Sequence, residues 1–391
     1  MTYDIDRVRA AYPALAEGFA HFDGAGGTLV AAPVAEAVAG VLRSAVGNRS
    51  TAFAPGRRSL AIIAEARAAV ADLVGGQADG VVFGPSATAL TYLVARTLAQ
   101  TWQAGDEVVV TRLDHDANVR PWVQVAAAAG ATVRWAQVDR ETGELPVGQF
   151  AELIGERTRI VAVTGASNAI GTIPAVRAIA DLAHEAGAQV YVDGVHATAH
   201  LPVDVGALGA DFYVTSAYKW AGPHIAAVIA EPAVWEPIAP AKLIPSLDTV
   251  PDRFEFGTLS FELLAGVTAA VEHLATLDPA ATGDRRSRVL AGLTAAAAYE
   301  KTLLDRLVDG LGKVSVLPSG ARRCPTVSFR IDGESPADTA RRLGDQGVCV
   351  SNGDYYAYEY FQGGGAVRAS ISHYNTAAEV DRLLALIGDE A

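Results

Sequence analysis

The chain has 391 residues, of which 50% are hydrophobic, and a formal net charge of −13 at pH 7. That length is enough for a large buried core and for two domains. The acidic balance argues against nucleic acid or an anionic membrane as the main partner, and no apolar run is long enough to cross a bilayer. The two cysteines form neither a disulfide framework nor a zinc-site spacing, and the N-terminus lacks the pattern of a secretory signal, so we expect no metal and a cytoplasmic location.

The first part of the chain opens with a glycine-rich turn at residues 22–28, which contains Ala25. The turn lacks the Lys and Ser/Thr of a phosphate-binding P-loop. We expect it to lie near a binding site, with Ala25 close to the substrate. Helical patterns follow at residues 34–46 and 59–74, and a strand at 80–83. The sequence therefore predicts that strands and helices alternate from here on.

A turn of small and hydroxyl residues, Ser86, Ala87 and Thr88, stands between that strand and a helix predicted at residues 89–99. The start of a helix presents free backbone N–H groups and the positive end of the helix dipole, which suits a phosphate group. The alternative is an ordinary Ser/Thr cap of the helix. Taken alone, the turn favours the cap.

Polar residues follow two further strands where each strand ends. His115 follows a strand predicted at residues 107–111, and Asn168 follows one at 159–164. A histidine in that place can lay its ring on a flat heteroaromatic cofactor, although a lone histidine there is more often a surface or capping residue. Asn168 can donate a hydrogen bond to an oxygen on such a ring, or it can simply form a turn.

Two apolar runs, at residues 191–196 and 211–220, deliver an acid and an amine to one edge of the predicted sheet. The first ends in Asp193, and the second leads through Ser216 to Lys219. Burial disfavours the ammonium form, so such a lysine can lose its proton and attack a carbonyl. A nearby carboxylate can hold the protonated pyridine nitrogen that pyridoxal phosphate needs as an electron sink. The alternative is a solvated lysine paired with an acid.

The alternation of strands and helices continues to a strand predicted at residues 225–230. It indicates a doubly wound α/β domain with its ligand at the carboxyl ends of several strands. The candidate residues at such ends are Ser86, His115, Asn168, Asp193 and Lys219. Their convergence on one edge carries more weight than any one of them.

The pattern changes after residue 230, where prolines cluster. Two long helices are predicted at residues 260–276 and 285–310. A smaller α+β unit closes the chain, with strands predicted at 326–331, 348–351 and 366–370 and helices at 336–346 and 376–387. We therefore predict an N-terminal segment at 1–30, a large cofactor-binding domain at 31–260 and a small C-terminal domain at 261–391.

The chain resembles the class V aminotransferase family of fold-type I pyridoxal phosphate enzymes, and specifically its cysteine desulfurase-like branch, over nearly its whole length. The resemblance implies that Lys219 bonds covalently to the cofactor's aldehyde and that Asp193 pairs with the pyridine nitrogen. It also implies that His115 stacks on the ring and that Asn168 approaches the phenolic oxygen. Arg368 matches the arginine that grips the substrate carboxylate, with an interdomain salt bridge as the alternative.

The resemblance also implies a phosphate site shared between two subunits of a homodimer. The residues of one chain that would hold the phosphate are Ser86, Ala87, Thr88 and Ser216. In these dimers a Gly-Thr pair from the neighbouring subunit often completes the site, and here that pair is Gly257 and Thr258.

Three departures from the family pattern bear on the reaction. Tyr218 replaces a histidine that commonly precedes the lysine, and His196 replaces a glutamine that commonly follows the aspartate by three. We expect both to contact the cofactor, and His196 to exchange protons with it or with the substrate. The desulfurases carry a nucleophilic cysteine in a small-domain loop, where this chain has tyrosines, with Tyr356 near the expected place. Cys349 lies in the preceding predicted strand, where a small buried residue is favoured over a reactive thiol.

These features predict an enzyme that acts on an α-amino acid and needs no thiol of its own. After Lys219 removes the α-proton, loss of a sulfur leaving group would give an aminoacrylate that hydrolyses to pyruvate and ammonia. We therefore expect a carbon–sulfur β-lyase acting on cysteine or an S-substituted cysteine. The tyrosines that would line the pocket and protonate the sulfur, or else pack elsewhere, are Tyr355, Tyr356, Tyr358 and Tyr360.

Other reactions are compatible with the same residues, because a fold does not select which bond breaks. The alternatives within the enzyme class are a decarboxylating deaminase, an epimerase, an aminotransferase and a desulfurase that uses Cys349. A non-catalytic binding protein is the alternative outside that class. The presence of Lys219, Asp193, His115 and Arg368 together argues against it.

Overall fold

The computed structural model describes residues 3–312 and 314–388. Its strands are β1 (Ala20–His21), β2 (Val81–Gly84), β3 (Glu107–Thr111), β4 (Thr132–Ala136), β5 (Thr158–Thr164), β6 (Gln189–Asp193), β7 (Phe212–Ser216), β8 (Ala226–Ile229), β9 (Ser315–Val316), β10 (Thr326–Arg330), β11 (Val348–Cys349), β12 (Ser351–Gly353) and β13 (Ala366–Ser370). Its helices are α1 (Ile5–Ala10), α2 (Ala32–Leu42), α3 (Ala54–Val74), α4 (Ala87–Leu98), α5 (Arg120–Ala129), α6 (Phe150–Leu153), α7 (Val176–Glu185), α8 (Val205–Leu208), α9 (Pro232–Trp235), α10 (Phe261–Leu274), α11 (Arg285–Gly310), α12 (Pro336–Asp345), α13 (Tyr358–Phe361) and α14 (Ala377–Gly388).

A seven-stranded sheet lies at the centre of the described residues, in the order β2-β8-β7-β6-β5-β3-β4. β7, β6, β5, β3 and β4 run parallel, and β8 runs antiparallel to both of its neighbours. Along β5, Val161 and Val163 join the core on one face of the sheet, while Ile160 and Ala162 join the core on the other. α7 packs into the first core and α4 and α5 into the second. Burial on both faces explains why these strands have continuous apolar sequences.

A four-stranded antiparallel sheet, in the order β12-β13-β10-β9, lies in the C-terminal part of the chain. Its strand β13 carries Arg368, and Val327, Phe329 and Val367 belong to the core beneath it. The predicted fold class is confirmed, since a large, mostly parallel sheet is accompanied by a smaller α+β unit. The division of the chain at residues 30 and 260 stays a prediction.

The single strand predicted at residues 348–351 is wrong, because two short strands in different sheets occupy that stretch. In β11, Val348 pairs in parallel with Ala20 of β1. In β12, Ser351 pairs with Arg368 of β13. The break between them lets one segment serve two sheets, and it brings the N-terminal glycine-rich turn against the small sheet.

Most other predicted elements agree with the structure to within a few residues. The strands predicted at 107–111 and 366–370 and the helix predicted at 285–310 have the observed bounds. The helix predicted at 59–74 instead begins at Ala54, because Pro55 occupies its first turn, where a proline is tolerated. No helix in residues 3–312 or 314–388 is both long and apolar enough to cross a membrane.

Candidate active site

A cavity of about 580 Å³ opens where β5, β6 and β7 end. It is bounded by the start of α4, by the N-terminal glycine-rich turn and by the small sheet. The predicted site residues that line it are Ala25, Ser86, Ala87, Thr88, His115, Asn168, Asp193, His196, Ser216, Tyr218, Lys219, Tyr356 and Arg368. The predicted residues that do not line this cavity are Gly257, Thr258, Tyr358 and Tyr360.

Lys219 lies at the end of a 3₁₀ turn, Ala217–Lys219, that follows β7. Its Nζ donates hydrogen bonds to the carbonyl oxygens of Ala25 and Gly26, the second at 2.9 Å. Burial lowers the pKa of its amine to about 7, and the positive charge of Arg368 adds to that effect. A substantial fraction of the amine is therefore neutral at pH 7, which is the form that attacks a carbonyl.

Asp193 ends β6, which lies beside β7 in the sheet, and it pairs in register with Val214. Its carboxylate accepts a hydrogen bond from the N–H of Val195 at 2.9 Å. Burial raises its pKa to about 6, while the Val195 bond and the charge of Lys219 oppose the rise. Asp193 is therefore mainly ionised at pH 7, as a partner for a protonated ring nitrogen must be.

His115 follows β3 and caps a short 3₁₀ turn. Its Nδ1 accepts a hydrogen bond from the N–H of Ala117 at 3.0 Å, which fixes the orientation of the ring. Burial lowers the pKa of the ring to about 4, and the charge of Lys219 lowers it further. The ring is neutral at pH 7, so it suits stacking on a flat cofactor better than donating a stored proton.

The start of α4 forms one end of the cavity. Ser86 caps the helix, since its Oγ accepts a hydrogen bond from the N–H of Ala89 at 3.1 Å. Ser86 therefore has the capping role that was the alternative for this turn. One cap satisfies only one of the four N–H groups that lack partners at a helix start. Thr88 and Ser216 line the same cavity. The turn can therefore be both a cap and a phosphate site.

Thr258 is a predicted phosphate ligand that the structure places elsewhere. It lines a second cavity of about 630 Å³, together with residues such as Tyr92 and Phe256. One chain therefore does not bring Thr258 to the other predicted phosphate ligands. A contribution to the neighbouring subunit's site stays a prediction.

Arg368 is 3% exposed, and its guanidinium has several partners in the chain. Nη1 donates to the carbonyl oxygen of Asn168 at 3.0 Å, and Nη2 donates to Oδ1 of Asp23 at 3.0 Å and to Oγ of Ser351 at 3.2 Å. The guanidinium also lies over the ring of Tyr355, 4.4 Å from the centroid. A salt bridge, the alternative to substrate binding, is therefore present between Arg368 and Asp23. Arg368 also lines the cavity.

Asn168 and His196 are partly engaged within the chain. Nδ2 of Asn168 donates to the carbonyl oxygen of Tyr355 at 2.9 Å, which leaves its second hydrogen for the predicted ring oxygen. Nε2 of His196 lies 3.0 Å from Oγ1 of Thr326, and burial lowers the pKa of the ring well below its usual range. His196 is neutral at pH 7, so it can be a hydrogen-bond partner of a cofactor but does not store a proton for transfer.

Two of the four tyrosines that were expected to line the pocket, or else to pack elsewhere, do line it. Tyr355 and Tyr356 line the cavity. Tyr358 is 54% exposed, and Tyr360 is buried against Phe361, 5.0 Å between ring centroids. The physical reason is that helix α13 begins at Tyr358, so the chain leaves the cavity wall there. For Tyr358 and Tyr360, the expectation that they line the pocket is wrong.

Neither cysteine is among the described residues that line the cavity. Cys349 lies in β11 opposite His21, and burial raises the pKa of its thiol. Cys324 is buried, and its thiol pKa is raised far above its usual range. Both thiols are protonated at pH 7, which agrees with packing roles better than with nucleophilic ones.

Two residues of the site escaped the sequence analysis. Asp23 and Ser351 contact the guanidinium of Arg368, and Ser351 also donates to Oδ1 of Asp23. Asp23 and Arg368 are 345 residues apart, so no local pattern joins them. The sequence did contain one indication, because Asp23 is an acid inside the glycine-rich turn that we expected to lie near the site.

The arrangement fits pyridoxal phosphate. The cavity holds an amine of lowered pKa for the cofactor's aldehyde, a buried carboxylate for its ring nitrogen and a neutral imidazole for its ring face. The start of α4 supplies N–H groups for its phosphate. Fold and site together define a pyridoxal-phosphate-dependent enzyme.

Comparison with known proteins gives the family. Residues 20–383 match the family described as Aminotransferase class-V. The chain is 38% identical to an uncharacterised protein of Mycobacterium tuberculosis (strain CDC 1551 / Oshkosh), over 98% of each chain. It is 32% identical to a cysteine desulfurase of Klebsiella pneumoniae subsp. pneumoniae, again over 98% of each chain. The apo structure of a cysteine desulfurase from Thermococcus onnurineus NA1 matches with a TM-score of 0.89 and 26% identity, over 100% of this chain and 98% of that one. The chain belongs to the class V aminotransferase family.

Proposed function

We propose that this protein is a pyridoxal-phosphate-dependent carbon–sulfur β-lyase that acts on cysteine or an S-substituted cysteine. The observation that carries the proposal is the side chain in the small-domain loop where the desulfurases have a thiol. There Tyr356 lies against His115, and neither cysteine lines the cavity. A site with the groups for an amino acid but without a thiol supports release of sulfur as a free thiol rather than its transfer to the enzyme.

The roles of the residues around the α-carbon follow from their charges. Arg368 binds the substrate carboxylate through its planar fork. The neutral amine of Lys219 removes the α-proton, and its pKa of about 7 keeps that form available. Asp193 would hold a proton at the pyridine nitrogen of the bound cofactor. When bound, pyridoxal phosphate supplies the electron sink for the negative charge that develops at the α-carbon.

The bond that breaks next is the one between the β-carbon and sulfur. The electron pair left at the α-carbon forms a carbon–carbon double bond, and sulfur leaves with the bonding pair and takes up a proton. His115 is neutral at pH 7, and the N–H of a neutral imidazole is a weaker acid than a phenol, so we assign the proton donor to Tyr356. The remaining three-carbon fragment hydrolyses to pyruvate and ammonia.

We also propose a homodimer in which Gly257 and Thr258 of one subunit complete the phosphate site of the other. Support comes from the two cavities, since Thr258 lines one of them and the predicted phosphate ligands of its own chain line the other. Gly257 has φ of +81°, a conformation that glycine adopts without strain and that shapes this turn. Cys324 and Cys349 are free thiols, as is usual in a reducing compartment, and this supports a cytoplasmic location.

The test is a product analysis of the holoenzyme with S-methylcysteine, with cysteine and with alanine. Pyruvate and methanethiol in equal amounts from S-methylcysteine support the proposal. Carbon dioxide with an aldehyde, inversion at the α-carbon, or transfer of the amine to a keto acid would each identify one of the other reactions. Alanine and an enzyme-bound persulfide from cysteine would identify a desulfurase.

Two variants test the roles of the arginine and of the thiol in the same assay. Arg368→Ala should lower kcat/KM about 10- to 100-fold, since it removes charge-assisted hydrogen bonds to the carboxylate. Cys349→Ser should leave product formation unchanged, because Cys349 lies in β11 away from the cavity. Loss of activity in Cys349→Ser, with the fold intact, would overturn the thiol-free route.

A further inference from the structure

The guanidinium that is placed to receive the substrate carboxylate already carries a carboxylate of the chain itself. Oδ1 of Asp23 lies 3.0 Å from Nη2 of Arg368. Ser351 strengthens the contact, since its Oγ donates to Oδ1 of Asp23 and accepts from Nη2 at 3.2 Å. The three side chains therefore form one connected group, of which Ser351 and Arg368 line the cavity.

The two partners of this ion pair differ in their access to water. The side chain of Arg368 is 4% exposed, whereas that of Asp23 is 35% exposed. A buried guanidinium without a counter-ion would be strongly destabilising, because its charge would be neither hydrated nor paired. Asp23 differs in this respect, because its partly exposed carboxylate can be hydrated when it leaves the pair. A second carboxylate can thus replace Asp23 without leaving either charge buried and unpaired.

The backbone around Asp23 also touches the reactive amine. The N–H groups of Gly26 and Gly27 donate to the carbonyl oxygen of Asp23 at 2.8 and 3.0 Å, which closes a tight turn. The same turn offers the carbonyl oxygens of Ala25 and Gly26 to Nζ of Lys219. One short segment therefore contacts both the carboxylate-binding group and the amine.

We propose that Asp23 is the resident counter-ion of Arg368 in the ligand-free enzyme and that the substrate's α-carboxylate binds by displacing it from Nη2. The inference rests on the proposed function, since it assigns Arg368 to the substrate. Asp23 is then a specificity-determining residue. Only a ligand with a negatively charged group can replace a charge-assisted hydrogen bond, so esters and amides of the same amino acids are excluded.

The test measures binding of a carboxylate that cannot react. Propionate has the carboxylate but no amine, so it probes Arg368 without any chemistry at Lys219. By calorimetric titration of the holoenzyme, Asp23→Asn should bind propionate about tenfold more tightly than wild type, because the competing interaction is charge-assisted and the amide that replaces it is neutral. Propionamide should gain nothing.

The matched control is Asp354→Asn. Asp354 lines the cavity that Arg368 lines, but its carboxylate accepts from the N–H of Tyr356 at 3.0 Å rather than from Arg368. If both variants tighten propionate binding equally, the effect is general electrostatics and the proposal fails. Unchanged or weaker binding in Asp23→Asn also overturns it.

Ser351→Ala is a second variant for this test, and the product analysis is a second readout. If Asp23→Asn does not fold, Ser351→Ala is the substitute, because it removes the hydrogen bond from Ser351 to Asp23. It weakens the pairing of Asp23 with Arg368 and should still tighten propionate binding. Unchanged binding in Ser351→Ala would count against the proposal. Propionate binding does not depend on turnover, so the role of Asp23 and the lyase assignment can be tested independently. Tighter propionate binding without pyruvate and thiol would sink only the lyase assignment, and pyruvate and thiol without tighter binding would sink only the role of Asp23.

Discussion

The ring of Tyr356 lies 5.4 Å from the ring of His115, centroid to centroid, with 30° between the two planes. The backbone supports the contact, since the N–H of Asp116 donates to the carbonyl oxygen of Tyr356 at 2.6 Å. Tyr355 and Tyr356 have φ of +52° and +58°, in the left-handed region that non-glycine residues rarely adopt. Such strain persists only where surrounding contacts enforce it, and it is found most often at functional sites. The loop therefore holds Tyr356 at the cavity.

We predict that Tyr356→Phe slows the release of poor leaving groups by about 100-fold. The phenyl ring keeps the packing against His115, whereas the proton for the departing sulfur is lost. With an arylthiolate, which leaves without protonation, the rate should hardly change. The measurement compares kcat for S-methylcysteine and for S-(4-nitrophenyl)cysteine in the two proteins.

The control for this comparison is Tyr358→Phe, since Tyr358 lies two residues further along the chain but does not line the cavity. It should behave as wild type with both substrates. An equal loss with both leaving groups in Tyr356→Phe would show that the residue positions the site and does not protonate sulfur.

We predict that the amine of Lys219 titrates near pH 7 in the apoprotein. Burial and the charge of Arg368 lower its pKa from the ordinary 10.5 to about 7. Acylation by acetic anhydride requires the neutral amine, so its rate at Lys219 should rise through about pH 7 and then level off. Mass spectrometry of the digested protein gives the rate at Lys219 and, as an internal reference, at the exposed Lys301. A profile for Lys219 that follows that of Lys301 would argue against the lowered pKa.

We predict that Asp193→Asn makes the apoprotein more stable at pH 8 than wild type. Burial raises the pKa of Asp193 from 3.8 to about 6, so the folded state holds the proton more tightly than the unfolded state. The stability from this group is fully present below about pH 4 and is lost as the pH rises through about 6. An asparagine does not ionise, and the gain at pH 8 should reach up to about 3 kcal/mol.

Urea denaturation of both apoproteins at several pH values measures this difference. The gain in the free energy of unfolding should shrink toward zero as the pH falls to about 4. A difference that stays constant with pH would mean that packing, and not the titration of Asp193, separates the two proteins.

We predict that inactive Lys219→Ala and Thr258→Asp variants regain activity when mixed. If Thr258 serves the neighbouring subunit, a hybrid dimer has one site with an intact lysine and an intact threonine from its partner. Random exchange of subunits should then restore roughly a quarter of the wild-type activity. Each variant refolded alone is the control, and mixtures that stay inactive although hybrids are present would refute a shared site.

The regular elements were predictable wherever burial alone decides the pattern. The strand at residues 107–111 is buried on both faces, so its apolar run reads directly as a parallel strand. The break between β11 and β12 was not predictable in this way. It arises because Val348 pairs with Ala20, which belongs to the other end of the chain.

The site was predictable to the extent that it lies at strand ends. His115, Asp193 and Lys219 follow parallel strands, and the carboxyl ends of such strands meet at one edge of a sheet. The contact between Asp23 and Arg368 depends on how the N-terminal turn meets the small sheet, which no local periodicity encodes. The role proposed for Thr258 depends on a second subunit, which a pattern within one chain does not encode.

The most direct test of the central claim is reduction of the holoenzyme with borohydride followed by peptide mass spectrometry. Reduction fixes the cofactor to the amine that carries it. The account predicts a pyridoxyl-phosphate adduct on the peptide that contains Lys219, absent from Lys219→Ala and present in Lys301→Ala. An adduct on another lysine, or no adduct on protein purified with the cofactor, would contradict it.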